Sequence, residues 1–256
     1  LLIHISLAAH WLILWAIYLD MKYEIYNSYK KWAFLIFISF FININISLII
    51  VLYLYCILFY LFICKKITTL NFFKFCFSFL ALIFFSLFLI GFFEVNLINF
   101  PDFGYGHYKS NLLTFIDSKG GILNYKWSFF LKDINHFHGE EEGFGFLGLS
   151  SIIIALIILI YLIINFKKIS KNFNNKAFFY ILVSLIFILL SLSHKVSFGQ
   201  NILYEIQINK LIFDFFSIIR SSGRFIWLPC YLIIIFLGIF LFKIFEKKYL
   251  NFFVSM

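Results

Sequence analysis

The chain has 256 residues, of which 63% are hydrophobic, 23% aromatic and 13% charged, and its formal net charge is +9 at pH 7. One core of a domain this long could not bury so much apolar surface, which excludes a soluble globular protein and indicates a membrane protein. The lysines cluster at the ends of apolar runs, where they suit anionic membrane lipids, so we expect no nucleic-acid partner.

The apolar residues occur in long uncharged runs without alternation. Such runs predict helices, because a backbone in hydrocarbon must satisfy its own hydrogen bonds, whereas a transmembrane barrel shows short alternating segments. We therefore expect an all-α, polytopic bundle of about six to seven membrane helices, forming a single transmembrane domain over 1–256. In chain order, the predicted helices are 1–19, 32–43, 46–64, 72–93, 146–165, 177–193 and 225–243.

The apolar run from Ala33 to Cys64 is too long for one ordinary span. As a single helix it would be about 48 Å long at about 1.5 Å per residue, against a hydrocarbon core of about 30 Å. Asn43 and Asn45 lie in its middle. We expect a turn near Asn43 to Ser47 that separates two helices, and the alternative is one long tilted helix.

Charges are distributed asymmetrically among the connections between these helices. Two long loops, 94–146 and 194–224, hold eight basic and nine acidic residues. The remaining connections hold 13 lysines and three acidic residues: 20–31, 65–76, 165–176 and the tail 243–256. By the positive-inside rule the two long loops face the periplasm or cell exterior, which predicts a multi-pass protein of the bacterial inner membrane.

The first long loop contains most of the glycines and a mixture of aromatic and charged residues. Nine of the twelve glycines fall between Gly91 and Gly148, so the backbone turns often and can approach a ligand closely. The mixture is typical both of a membrane-interface surface and of a sugar-binding surface. His136 and His138 precede the acidic run 140–142, which could present ligands to a divalent metal. We expect a solvated acidic turn instead, and no cofactor.

The only two arginines, Arg220 and Arg224, lie at the edge of the last apolar run. If 220–224 is helical or forms a tight turn into the last span, both guanidinium groups share one face, beside the unpaired N–H groups that begin the next helix. Guanidinium recognises phosphate bidentately, which predicts a phosphate site made of these arginines with Ser221 and Ser222. The alternatives are contacts with lipid headgroups or pairing with one of two upstream carboxylates, Glu205 and Asp214.

Four segments in order are informative together: GYGHYKSNLL (104–113), KWS (126–128), EEGFGFLGL (141–149) and RSSGRFIWLPCY (220–231), with HWLIL (10–14) before them. This set resembles a family of bacterial polytopic membrane proteins that is similar to the GT-C superfamily of membrane glycosyltransferases. The resemblance implies an extracytoplasmic active site above a lipid-facing cleft. It also implies inverting transfer from a polyprenyl-phosphate-linked sugar donor to a glycan or lipid acceptor.

The same resemblance implies roles for individual residues. Arg220 and Arg224 would bind the carrier phosphate, and a cavity would be lined by Tyr105, His107, Trp127 and Glu142. GT-C enzymes generally carry a catalytic carboxylate in their first extracytoplasmic loop, and no such loop precedes His10 here, so we expect a fragment. Within the chain, the candidates for an acidic role are Glu94 and Asp102.

Two other functions stay open at this point. A transporter or flippase of a lipid-linked anionic precursor would use the same arginines without breaking a bond. Transporters place polar groups at the membrane midplane, for which Asn43 and Asn45 are the candidates. A non-catalytic membrane scaffold is the third function, and it requires neither sugar nor phosphate binding.

Overall fold

The computed structural model describes residues 8–94, 104–120, 125–164, 175–217 and 220–254. The described chain is mostly helical and divides into two compact units, Leu1–Phe103 and Gly104–Met256. In these described ranges, four helical segments are long and apolar enough to cross a membrane: Ile44–Ile63, Thr69–Leu89, Asn175–Leu192 and Ser222–Phe242.

The first unit is a bundle of α1 (Trp11–Lys22), α2 (Ile25–Ile42), α3 (Ile44–Ile63) and α4 (Thr69–Leu89). α1 packs on α2 and α3, and these two pack on each other and on α4. Trp32 and Tyr53 are fully buried between them, with ring centroids 6.4 Å apart in an edge-to-face arrangement. The Tyr53 hydroxyl donates to the Asp20 carboxylate at 2.8 Å, so this acidic group on α1 has a partner inside the bundle.

The predicted break in the long apolar run is confirmed, because Asn43 separates α2 from α3. Its backbone is extended, and its Oδ1 accepts hydrogen bonds from the N–H groups of Asn45 at 3.0 Å and Ile46 at 3.3 Å. The Ser47 hydroxyl donates to the Asn43 carbonyl at 2.8 Å. The two bonds to Oδ1 satisfy N–H groups that a helix start leaves unpaired. The alternative of one long tilted helix is therefore wrong.

Two boundaries near the N-terminus differ from the prediction. α2 begins at Ile25, so most of the predicted connection 20–31 is helical. Lysine is a good helix former, and Lys30 and Lys31 continue the helix beyond the apolar run. α1 begins at Trp11 and ends at Lys22, whereas the predicted first helix covered 1–19. Residues 1–7 of that prediction lie outside the described residues.

The second unit contains α5 (Leu149–Ile164), α6 (Asn175–Leu192), the short α7 (Lys210–Ser217) and α8 (Trp227–Val254). α8 packs against α5 and α6. Phe187 on α6 meets Phe225, just before α8, at a ring-centroid distance of 6.0 Å. Pro229 lies in the first turn of α8, where its missing N–H breaks no helical hydrogen bond.

The predicted α fold is confirmed in that the described chain is mostly helical, and the loops add two small antiparallel sheets. β1 (Lys119–Gly120) pairs with β2 (Tyr125–Lys126), and β3 (Lys195–Phe198) pairs with β4 (Asn201–Glu205). A hairpin is possible there because backbone N–H and C=O groups outside the hydrocarbon can form hydrogen bonds with water or with other loops.

The two long loops contact each other within the second unit. The Leu112 N–H donates to the Ser197 carbonyl at 3.1 Å, and the Asn111 amide donates to the Gly199 carbonyl at 2.9 Å. We call these packed segments the loop layer, defined as 104–120, 125–148, 194–206 and 220–226.

Candidate functional site

Three segments of the loop layer meet at the start of α8. They are 104–114, the 3-10 turn Glu140–Gly143 and the 3-10 turn Ser222–Ile226. A Cβ on Gly223 would lie 2.7 Å from the Gly143 Cα, an approach that only glycine allows. The Gly223 N–H donates to the Tyr108 carbonyl at 2.9 Å, and the Ser110 hydroxyl lies 3.2 Å and 3.1 Å from the carbonyl oxygens of Gly143 and Gly223. Backbone contacts therefore fix these three segments together.

Arg224 is paired with Glu142. Its Nε donates to Glu142 Oε2 at 2.9 Å, its Nη2 donates to the same oxygen, and the Ser221 hydroxyl reaches that oxygen at 3.3 Å. The side chains of Arg224 and Glu142 are 12% and 21% exposed. The alternative of pairing with an upstream carboxylate is wrong for Glu205, which binds Lys195 at 2.8 Å. The side chain of Asp214 lies outside what the structure describes.

Arg220 is exposed and lies over the ring of Tyr108. Its guanidinium carbon is 5.0 Å from the ring centroid, and its Nη2 donates to the Tyr108 hydroxyl at 3.3 Å. The backbone of Arg220 is left-handed, with φ 49°, and a Cβ on Gly104 would lie 2.8 Å from its Cγ. Such a backbone costs a non-glycine residue about 1 to 3 kcal/mol, which the surrounding contacts must offset.

The two arginines do not share a helical turn. The 3-10 turn begins at Ser222, after Arg220, so the two arginines belong to different local structures. Tyr108 connects them, since its side chain contacts Arg220 and its carbonyl binds the turn that carries Arg224. The Ser222 hydroxyl is buried and has no hydrogen-bond partner within the described residues. A buried hydroxyl without a hydrogen-bond partner is uncommon in folded proteins.

A buried polar network lies in the same layer, and sequence reasoning missed it. The Lys109 ammonium contacts the Glu140 carboxylate and the Ser197 hydroxyl. The Asn111 amide donates to Glu140 at 2.8 Å and to the Gly199 carbonyl at 2.9 Å. Burial lowers the pKa of Lys109, against the opposing attraction of Glu140. The network ties the first long loop to the β3–β4 hairpin.

The expected solvated acidic turn at 140–142 is wrong, because Glu140 is buried and Glu142 holds Arg224. The nearby histidines also diverge. His136 Nδ1 lies 3.1 Å from Asp117 Oδ2, and this hydrogen bond raises the pKa of His136. His138 instead approaches His107, with ring centroids 5.8 Å apart. Among the described residues, no group of three or more His, Cys, Asp or Glu side chains is placed to hold a metal ion.

The four residues expected to line a cavity lie in different parts of the layer. Tyr105 is stacked between His194 at 5.2 Å and Phe216 at 5.1 Å, and desolvation raises its pKa. His107 is exposed and meets the ring of Tyr108 at 4.7 Å, which brings it close to the residue that holds Arg220. The Trp127 ring lies 6.1 Å from the ring of Phe144, and Glu142 forms its ion pair with Arg224.

The two candidates for a catalytic carboxylate are less well defined. Glu94 is exposed and lies in the 3-10 turn Phe92–Glu94, which follows α4. Asp102 lies outside the described residues. Tyr108 was not predicted as a site residue, although an aromatic residue beside glycines and a lysine in GYGHYK was a usable signal.

The apolar helices and the folded loop layer define a membrane protein with an ordered polar layer at one end of its second helical unit. The chain belongs to the DUF6311 family, described as a domain of unknown function, whose family model matches residues 1–256. No curated protein and no solved structure matched the chain.

Proposed function

We propose that this chain is GT-C-like and multi-pass, and that it acts as a glycosyltransferase of the bacterial inner membrane. It transfers a sugar from a polyprenyl-phosphate carrier to an extracytoplasmic glycan or lipid acceptor. One observation carries the proposal: exposed Arg220 is held over Tyr108 beside a turn that leads directly into an apolar helix of membrane-crossing length. A carrier lipid has the matching shape, with a phosphate at the membrane surface and a chain along the apolar helix.

The two arginines take different roles in this proposal. Arg220 presents an exposed guanidinium group and binds the carrier phosphate, since arginine recognises phosphate bidentately. Arg224 already binds Glu142, so it is a positioning residue that holds the 222–226 turn against the acidic turn. The exposed His107, next to Tyr108, lies where it can contact the phosphate or the sugar.

The reaction is a displacement at the anomeric carbon of the donor sugar. The acceptor oxygen forms the new bond to that carbon, and its proton passes to a carboxylate that acts as the general base. The carrier phosphate leaves with the electron pair of the broken C–O bond. Arg220 stabilises the charge that grows on the leaving oxygen, which favours the transition state over the ground state.

Binding of a short-chain polyprenyl phosphate to the detergent-solubilised protein tests the first step. Arg220→Lys keeps the charge but loses the planar fork, so we expect affinity to fall roughly tenfold, equivalent to about 1.4 kcal/mol. Lys195→Gln removes an exposed cation from the same layer and should leave binding unchanged. Equal affinities for Arg220→Lys and the parent protein would contradict the phosphate role. Sugar transfer by the full-length protein should fall together with binding.

The observations favour glycosyl transfer over transport and over a scaffold role. Of the two polar candidates in the apolar runs, Asn43 caps α3 and Asn45 donates its N–H to that cap, so both take part in the start of a helix. If the protein moved a labelled lipid-linked sugar across liposome membranes without changing its covalent mass, transport would be the function and sugar transfer would be contradicted. A loop layer that bound neither polyprenyl phosphate nor sugar would indicate the scaffold.

A further inference from the structure

The most exposed aromatic residues of the described chain lie in one short loop after β2. Phe129 is 94% exposed and Phe130 is 88% exposed, and Trp127 beside them is 66% exposed. Adjacent exposed aromatic residues mark an interaction surface, because their contact with water is unfavourable. We call residues 126–133 the aromatic loop.

Aromatic contacts connect this loop to the start of an apolar helix. The Trp127 ring lies 6.1 Å from that of Phe144, which in turn lies 6.3 Å from Phe146. Phe146 is three residues before Leu149, the first residue of α5. Only Ile158 of α5 is buried in the structure, as expected of a helix that faces lipid. The aromatic loop is thus continuous with the exposed apolar surface of α5.

The charges around the loop favour an anionic partner. Lys119 and Lys126 lie directly opposite each other in the β1–β2 pairing, where like charges repel. Lys126 also lies 3.0 Å from Asp133, and Lys132 is exposed. Three lysines therefore surround the aromatic residues, against one aspartate. Anionic lipid headgroups would relieve this repulsion, while the aromatic rings suit the boundary between headgroups and acyl chains.

We infer that the aromatic loop inserts Trp127, Phe129 and Phe130 into the headgroup region of the bilayer and that its lysines bind anionic lipid. The loop then anchors the loop layer to the membrane surface at a point separate from the spanning helices. This inference does not depend on sugar transfer, and its test needs no substrate.

Photo-crosslinking in the full chain identifies what covers the loop. We place p-benzoylphenylalanine at position 129 or 130, in membranes of phosphatidylglycerol and phosphatidylethanolamine in equal parts, with a short-chain polyprenyl phosphate added in a parallel sample. Mass spectrometry then identifies the adduct. Substitution at Ile157, exposed on α5, is the positive control, and substitution at Asn135, an exposed polar residue just beyond the loop, is the negative control.

We expect phospholipid adducts at positions 129 and 130, as at 157, and several-fold fewer at 135. Lys132→Gln should lower the proportion of phosphatidylglycerol in the adducts, whereas Lys195→Gln should not. Crosslinks to a second copy of the chain, or adducts to polyprenyl phosphate alone, would assign the loop another occupant and overturn the inference. It is also overturned if 129 and 130 give no lipid adduct in samples where 157 does.

Discussion

Lys109 and Glu140 bear opposite charges at a place that water hardly reaches, since their side chains are 4% and 1% exposed. Removing ions from water is costly, and the cost is offset only when the pair is well surrounded by hydrogen bonds. Asn111 and the Phe137 N–H supply them, each donating to Glu140. Loss of one charge therefore leaves the other buried and uncompensated.

Replacement of the Glu140 carboxylate should destabilise the loop layer. We expect Glu140→Gln to lower the free energy of unfolding by about 3 kcal/mol, because it strands the Lys109 ammonium. Thermal unfolding followed by tryptophan fluorescence in detergent measures the change. Glu205→Gln is the matched control, since Glu205 binds Lys195 in an exposed pair, and its midpoint should match the parent's. Equal midpoints for both variants would contradict a stabilising role for the buried pair.

His136 should make stability depend on pH in a defined direction. Asp117 raises the pKa of folded His136, so the stabilisation is fully present below the unfolded pKa of about 6.5 and is lost as pH rises through the folded pKa. The difference in unfolding midpoint between the parent and His136→Gln should thus be largest near about pH 6 and shrink above it. His138→Gln, which replaces an exposed histidine in the same loop, is the matched control for loss of an imidazole. A His136→Gln difference that grew with pH would contradict the assigned pairing.

At the scale of elements, the position of Arg224 depends on contact between two 3-10 turns. Gly143 and Gly223 face each other with no room for a side chain. The contact aligns Glu142 of one turn with Arg224 of the other. The guanidinium position is thus set by backbone packing as well as by the ion pair.

A single methyl group should separate these turns. We expect Gly223→Ala to destabilise the protein by about 1 to 3 kcal/mol, because the Cβ would overlap Gly143, and to weaken polyprenyl phosphate binding as well. Gly238→Ala in α8 is the control, since a Cβ there meets nothing within 4 Å and alanine favours helix. If both alanine variants unfold at the parent's midpoint, the close packing of the turns is not required.

The elements also show what a sequence can predict here. The break at Asn43 was predictable, because the run was too long for one span and its polar residues were local to the break. The Glu142–Arg224 pair was not, since 82 residues separate its members and every acidic residue in the loops was an equal candidate. The buried state of Glu140 was equally hidden, because an acidic run between glycines normally indicates solvent exposure.

For the whole molecule, the charge asymmetry predicts which ends of the helices share a side. The loop layer joins residues from both long loops, so those loops must lie on the same side of the membrane within the second unit. Their position outside the cytoplasm follows from the lysines of the other connections and remains a prediction.

Reporter fusions test that orientation. Alkaline phosphatase fused after Asn135 or Ile206 should be active, because both junctions lie in the long loops, and the same enzyme fused after Lys66 should be inactive. Fluorescent protein fusions at the three junctions should give the opposite pattern. Active phosphatase at Lys66 with inactive enzyme at the other junctions would show the opposite orientation. It would then contradict extracytoplasmic sugar transfer by the loop layer.

The pairing of Glu142 with Arg224 has a consequence for biosynthesis. A ribosome must complete α5 and α6 after making the acidic turn before it makes the arginine that binds that turn. During this interval Glu142 lacks its partner, and the β3–β4 hairpin that supplies Ser197 to Lys109 is also still to come. A nascent chain that stopped before Lys195 would therefore carry incompletely paired loops, which are the features that proteases and chaperones detect.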